Sequence, residues 1–166
     1  MNGFSFPENC KIVHGLAPIV GAGAAFVGDY ISLKNVHRAW VVIYYTQADA
    51  NAITWHVMKS PLVSGVGAVV TDVAMPIWSN LDCATSDLLV ERTAAVNYAS
   101  GGVAGAKIVI FEVDPAALGE LAGVPYDCIA GASTTVIAAA QYPAILYVLE
   151  PRYQSAVINQ PTVITD

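Results

Sequence analysis

The residues that could support catalysis or metal binding are not spaced for either task. The histidines His14, His37 and His56 stand far apart, and none lies in an H-E-x-x-H or H-x-H arrangement that presents two imidazoles to one metal ion. Neither the G-x-S-x-G elbow of serine hydrolases nor the phosphate-binding G-x-x-x-x-G-K-[ST] loop occurs. A glycosidase pair among the thirteen acidic residues leaves no sequence signature, and the dispersed acids favour a role in solubility. We expect a non-enzymatic protein with no catalytic residue and no metal.

One glycine-rich segment, IVGAGAAFVGD, resembles part of a dinucleotide-binding fingerprint through Gly21 and Gly23. Phe26 fills the third glycine position, and no acidic residue ends the following strand. Gly15 and Pro18 also make the preceding KIVHGLAPIV a poor strand. The pattern favours a Gly/Ala-rich turn, so no cofactor is expected.

The cysteines and the first residues bear on where the protein is made. Cys10, Cys83 and Cys128 are odd in number and lack C-x-x-C spacing, which indicates reduced thiols rather than disulfides or a zinc site. The opening MNGFSFPENCK has no basic region followed by an apolar one, as a secretory signal would. Cytoplasmic synthesis is the expectation.

The composition points to a surface that is partly covered. Charged residues make up 12% of the chain, against a typical value of about 25%, and the mean hydropathy is +0.55. Such a composition is typical of proteins whose surface is partly covered by other subunits or by a membrane. The net charge of −6 and the scattered basic residues exclude a clustered nucleic-acid interface.

A membrane span is the weaker explanation. The segment from Cys128 to Leu149 has twenty-two residues without a formal charge, which is long enough for a helix to cross a bilayer. It contains several polar residues and Pro143, and acids rather than basic residues flank it. Two strands joined through Gln141, Tyr142 and Pro143 are the preferred interpretation.

Runs of β-branched and aromatic residues predict a β protein. Arg38 to Thr46 and Ile53 to Lys59 are predicted to form a β-hairpin, and the first arm is apolar on both alternating sets of side chains, as in a strand covered on both faces. Further strands are predicted over 107–113 and 144–150, with weaker ones over 29–33, 89–98 and 127–132. One short helix is expected over 114–123, with Asp114 as its N-cap and Gly123 past its end.

Short strands separated by turn residues favour an antiparallel β-sandwich of jelly-roll or immunoglobulin-like type, formed by residues 1–166 as a single domain. Both ends resemble extended arms, at 1–9 and 151–166, that contact neighbouring subunits. The arm residues chosen as candidate assembly contacts are Phe4, Phe6, Arg152 and Tyr153.

Several sequence segments, in their order along the chain, resemble those of small structural proteins of tailed bacteriophages. These segments are VHGLAPIV, DYISLKNVHRAWVVIYYT, PIWSNLDCATSD, KIVIFEVDPAAL and the C-terminal PRYQSAVINQPTVITD. The resemblance implies a homo-oligomeric virion protein that decorates or cements the head exterior, with the major capsid protein or other virion subunits as partners. It implies no catalytic residue.

Two other functions remain open at the level of sequence. The first is a tail or head–tail joining component of the same kind of particle. The second is a small carbohydrate- or ligand-binding β-sandwich, because Trp40, Trp55, Trp78 and eight tyrosines offer aromatic surfaces for a sugar ring.

Overall fold

A computed structural model describes residues 6–20, 24–134, 141–153 and 163–164. The helical elements are one turn, α1 (Phe6–Asn9), and one 3-10 turn (Pro115–Ala117). The strands are β1 (Lys11–Leu16), β2 (Ile31–Ser32), β3 (Val36–Gln47), β4 (Thr54–Ser60), β5 (Val69–Val70), β6 (Met75–Asn80), β7 (Val90–Ala95), β8 (Asn97–Ala99), β9 (Gly105–Val113), β10 (Glu120–Leu121), β11 (Val124–Pro125), β12 (Cys128–Ser133) and β13 (Tyr142–Pro151). In the described ranges, no helix is long and apolar enough to span a bilayer.

The strands form two antiparallel sheets that pack together. The larger sheet has the order β1-β13-β3-β9-β6-β7, and the second has β2-β12-β4-β5, with β8 also pairing with β4. A separate small hairpin joins β10 to β11. The predicted all-β antiparallel sandwich is therefore confirmed.

The core lies between the two sheets. Val41, Ile43 and Tyr45 point inward from β3 and are fully buried, because side chains alternate between the two faces of a strand. Across the core, the ring of Trp55 from β4 lies 5.2 Å from that of Tyr45. Burial raises the pKa of Tyr45 to about 12, so its hydroxyl stays neutral.

The hydroxyl of Tyr147 ties the two sheets together. It donates to the carbonyl of Asp29 at 2.8 Å and accepts from the amide of Gly131 in β12 at 3.1 Å. Burial raises the pKa of this hydroxyl. One fully buried side chain of the larger sheet thus satisfies a backbone donor of the second sheet.

The predicted hairpin between β3 and β4 is wrong. Both strands exist, but they belong to different sheets: β3 lies between β13 and β9, and β4 pairs with β12, β5 and β8. The connection crosses from one sheet to the other. Gln47 stabilises the first residues of this connection, because Nε2 of Gln47 donates to the carbonyls of Asp49 and Gly101.

The helix predicted over 114–123 is right only in its first turn. Asp114 caps it, since its Oδ1 accepts from the amide of Ala116 at 2.9 Å. Gly119, with φ of 75°, then leaves the helical conformation. Gly123, expected just past a helix end, instead has φ of 82° in the turn between β10 and β11.

Five of the strands, β1, β5, β6, β10 and β11, are not predicted by the sequence. The segment containing Gly15 forms β1 by pairing with β13. Glycine is required at this position, because an added Cβ would lie 2.5 Å from Cε2 of Tyr147. Pro76 lies within β6, at the point where the register between β6 and β7 shifts. Gly21 and Gly23 lie outside the described residues.

Polar contacts secure two peripheral parts of the fold. The ammonium of Lys59 lies 2.5 Å from Asp72 Oδ1, donates to the carbonyl of Leu118 at 2.8 Å, and sits 4.6 Å from the ring centre of Tyr126. Near the C-terminus, Val163 is buried and its carbonyl accepts from the amide of Ser32 at 2.6 Å. At least this part of the C-terminal segment packs on its own chain.

Candidate assembly surface

The larger sheet has a second apolar face, turned away from the core. On β3, the side chains alternating with the buried set are Trp40, Val42 and Tyr44, and Tyr44 is 48% exposed. This agrees with the sequence pattern, in which both sets of β3 are apolar. Within the described residues, the second sheet covers one set, whereas in the other set Trp40 and Val42 are half-buried and Tyr44 is exposed.

The strand register brings apolar residues of four strands into one row. Leu146 of β13 lies opposite Val42, Val42 lies opposite Ile110 of β9, and Ile110 lies opposite Trp78 of β6. Directly opposed side chains on one face contact each other. Neighbouring rows extend the patch, which is called the outer face below and comprises Ile12, Trp40, Val42, Tyr44, Trp78, Ile108, Ile110, Ala144, Leu146 and Val148.

Polar groups border the outer face. His14 of β1 lies opposite Leu146 at one edge, and Glu91 of β7 lies opposite Trp78 at the other. At one end of the sheet, Arg38 forms an ion pair with Glu112 at 2.8 Å. An apolar centre with a polar rim is the usual anatomy of a protein–protein interface.

Glu112 also orients an outer-face aromatic ring. Its Oε2 accepts from Nε1 of Trp40 at 3.3 Å. The indole is therefore fixed by both strand pairing and a side-chain hydrogen bond. A rigid aromatic side chain loses little conformational entropy on binding, as in many interface hot spots.

Three of the four candidate contacts chosen from the arms, Phe6, Arg152 and Tyr153, lie at one end of the larger sheet. Phe6 precedes β1 and is 42% exposed, whereas Tyr153 follows β13 and is 72% exposed. Arg152 is anchored, because its Nε donates to the carbonyl of Val36 at 3.1 Å. Phe4 lies outside the described residues.

Sequence reasoning missed two contributors to the outer face. Trp78 was assigned to a turn-rich segment, and Ile12 to a segment judged too poor for a strand. Alternation was the available signal: in β6 Ile77 is buried and Trp78 is half-buried, and in β1 Val13 is buried between the exposed Ile12 and His14.

The residues considered for metal binding are not brought together in the described part of the chain. There, no three His, Cys, Asp or Glu side chains are placed to hold a metal ion. His56 is buried, and burial lowers its pKa. Trp55 is fully buried and offers no ring to a sugar, which leaves Trp40 and Trp78 of the three tryptophans considered for that role.

Comparisons with known proteins give limited information. No protein-family model and no curated protein matches the sequence. The SPBc2 prophage-derived protein YomS is similar in structure with a TM-score of 0.42 and 8% identity, over 85% of this chain and 92% of that one. The coat protein of Tobacco streak virus gives a TM-score of 0.27 and 12% identity, over 92% and 94% of the two chains. Both TM-scores are too low to support an inference about this chain.

Proposed function

We propose that the chain is a non-enzymatic structural subunit of a virus particle. The outer face carries this proposal, because it presents a continuous apolar surface on four neighbouring strands with charged groups only at its border. A surface of this kind is costly to leave in water and is typical of proteins that function within an assembly.

Within a particle, we propose the exterior of a tailed-phage head as its position, where it would decorate or cement the shell against the major capsid protein. This position is supported by the resemblance of the sequence segments named above to those of small phage structural proteins. Charge agrees with an exterior position, because a net charge of −6 with dispersed basic residues would repel packaged nucleic acid. Stabilising the head would be its task, and the virion its location.

Deleting the gene from the phage that encodes it tests this proposal. We expect heads without the protein to release their DNA at a lower temperature than wild-type heads, and purified protein added back to restore the wild-type temperature. Heads that are equally heat-resistant without the protein would contradict the role in head stabilisation. Intact heads without attached tails would instead indicate the head–tail joining role.

A further inference from the structure

We propose that a second copy of this chain covers the outer face. The larger sheet of one copy packs face to face on the larger sheet of the other, about a two-fold axis. The inference deepens the proposed function and rests on it for its setting, since it names the immediate partner of the same face. The homo-oligomer expected from the sequence thereby acquires a specific interface.

The area of the sheet fits such a dimer. The six strands are six to twelve residues long. At ~3.4 Å per residue and ~4.8 Å between strands, they present a face of about 800 Å². Stable interfaces of standard size bury about 800 Å² per partner. The whole larger sheet therefore has the size of one side of a standard interface, which a second copy of the same sheet matches.

The arrangement of side chains selects one symmetry axis. An axis that runs parallel to the strands between β3 and β9 exchanges β13 with β6 and β3 with β9 across the interface. Leu146 then faces Trp78 of the second copy, and Val42 faces Ile110. Every contact in this row is apolar, and the strands stay roughly aligned, as in β-sandwiches where packed sheets cross at about 30°.

The edges of the row are complementary about the same axis. It brings β1 against β7, so that the imidazole of His14 faces the carboxylate of Glu91 and can donate a hydrogen bond to it. Within its own chain, His14 Nδ1 also lies 3.9 Å from Asp29. An axis perpendicular to the strands through this row would instead place Glu91 against Glu91. Like charges opposed in this way are destabilising.

Sedimentation equilibrium on the full chain tests the second copy. We expect the mass to rise with concentration from 17.4 kDa toward twice that value. The substitution Leu146→Asp should hold the protein at the monomer mass. The matched substitution Leu62→Asp should leave the dimer unchanged, because Leu62 is similarly exposed at 42% but follows β4 of the second sheet.

Cross-linking tests the axis. In a chain carrying Cys10→Ser and Cys83→Ser, the pair Leu146→Cys and Trp78→Cys should give a covalent dimer with a short bis-maleimide. The single substitution Leu146→Cys should give little, because the two copies of this position lie on opposite sides of the axis. Equal yields from the single and double variants would overturn the proposed axis.

The failure of this inference is distinguishable from that of the proposed function. A wild-type chain that stays monomeric at all concentrations but is present on particles would overturn the second copy and leave the structural role intact. A dimer in solution that is absent from particles would leave the interface intact and overturn the virion role. If the wild-type chain is monomeric and Leu146→Asp also leaves its binding to particles unchanged, the outer face serves neither a second copy nor the shell.

Discussion

Replacing Leu146 by threonine should weaken the dimer by a calculable amount. Leu146 keeps 44% of its surface exposed in one chain. Complete burial of a leucine side chain is worth roughly 1.5–3 kcal/mol, so burial of the exposed part contributes about 1 kcal/mol. Because the two-fold axis uses the residue twice, the dimer loses about 2 kcal/mol, which corresponds to a roughly 30-fold larger Kd. Threonine is β-branched and therefore suits a strand.

The assay is sedimentation equilibrium of wild type, Leu146→Thr and the control Leu62→Thr at matched concentrations. We expect a larger Kd for Leu146→Thr alone. The free energy of unfolding of its monomer, measured by urea denaturation at low protein concentration, should change by less than about 0.5 kcal/mol. An unchanged Kd, or an equal change in the Leu62→Thr control, would refute the assignment of Leu146 to the interface.

Three further predictions concern the fold. Tyr147→Phe should lower the free energy of unfolding by about 1–3 kcal/mol, because the amide of Gly131 loses its buried acceptor; an unchanged urea midpoint would count against this bridge. Gly15→Ala should cost about 1–3 kcal/mol through collision with the Tyr147 ring, and combining it with Tyr147→Leu should cost less than the sum of the two single changes. Asp72→Asn should destabilise the protein at neutral pH, because the hydrogen bond from Lys59 holds the pKa of Asp72 below its usual value. This stabilisation is present above the usual pKa of about 4 and is lost as pH falls through the lowered one, so urea curves of the two proteins should converge in acid and a constant difference would disprove the linkage.

Local sequence patterns were enough to predict the fold class and three strands of the outer face, β3, β9 and β13. In β3, aromatic and β-branched residues occupy both alternating sets, and the structure has one set in the core and the other on the outer face. The pattern fails for pairing partners, because pairing depends on contacts between residues distant in sequence. Hence β3 and β4 were joined as a hairpin, whereas β3 pairs with β13, about one hundred residues further along the chain.

Glycine and proline were the other source of error. Gly15 argues against a strand in the sequence, yet it lies in β1, which pairs with β13. Tyr147, distant in sequence, occupies the space that a side chain at this position would need. Pro76 similarly marked a turn where the structure has an irregular register in a central strand. The reasons for glycine and proline at these positions depend on contacts between residues distant in sequence. For this reason the sequence did not predict that Ile12 and Trp78 lie on strands of the outer face.

The most direct test of the structural role is the copy number of the protein in purified particles of the phage that encodes it, measured by quantitative mass spectrometry against the major capsid protein. The head-decoration proposal predicts tens to hundreds of copies per particle, in a fixed ratio to the capsid protein. A dozen copies or fewer would indicate that the protein is part of the tail or of the head–tail joint. Complete absence from particles would contradict the virion role itself.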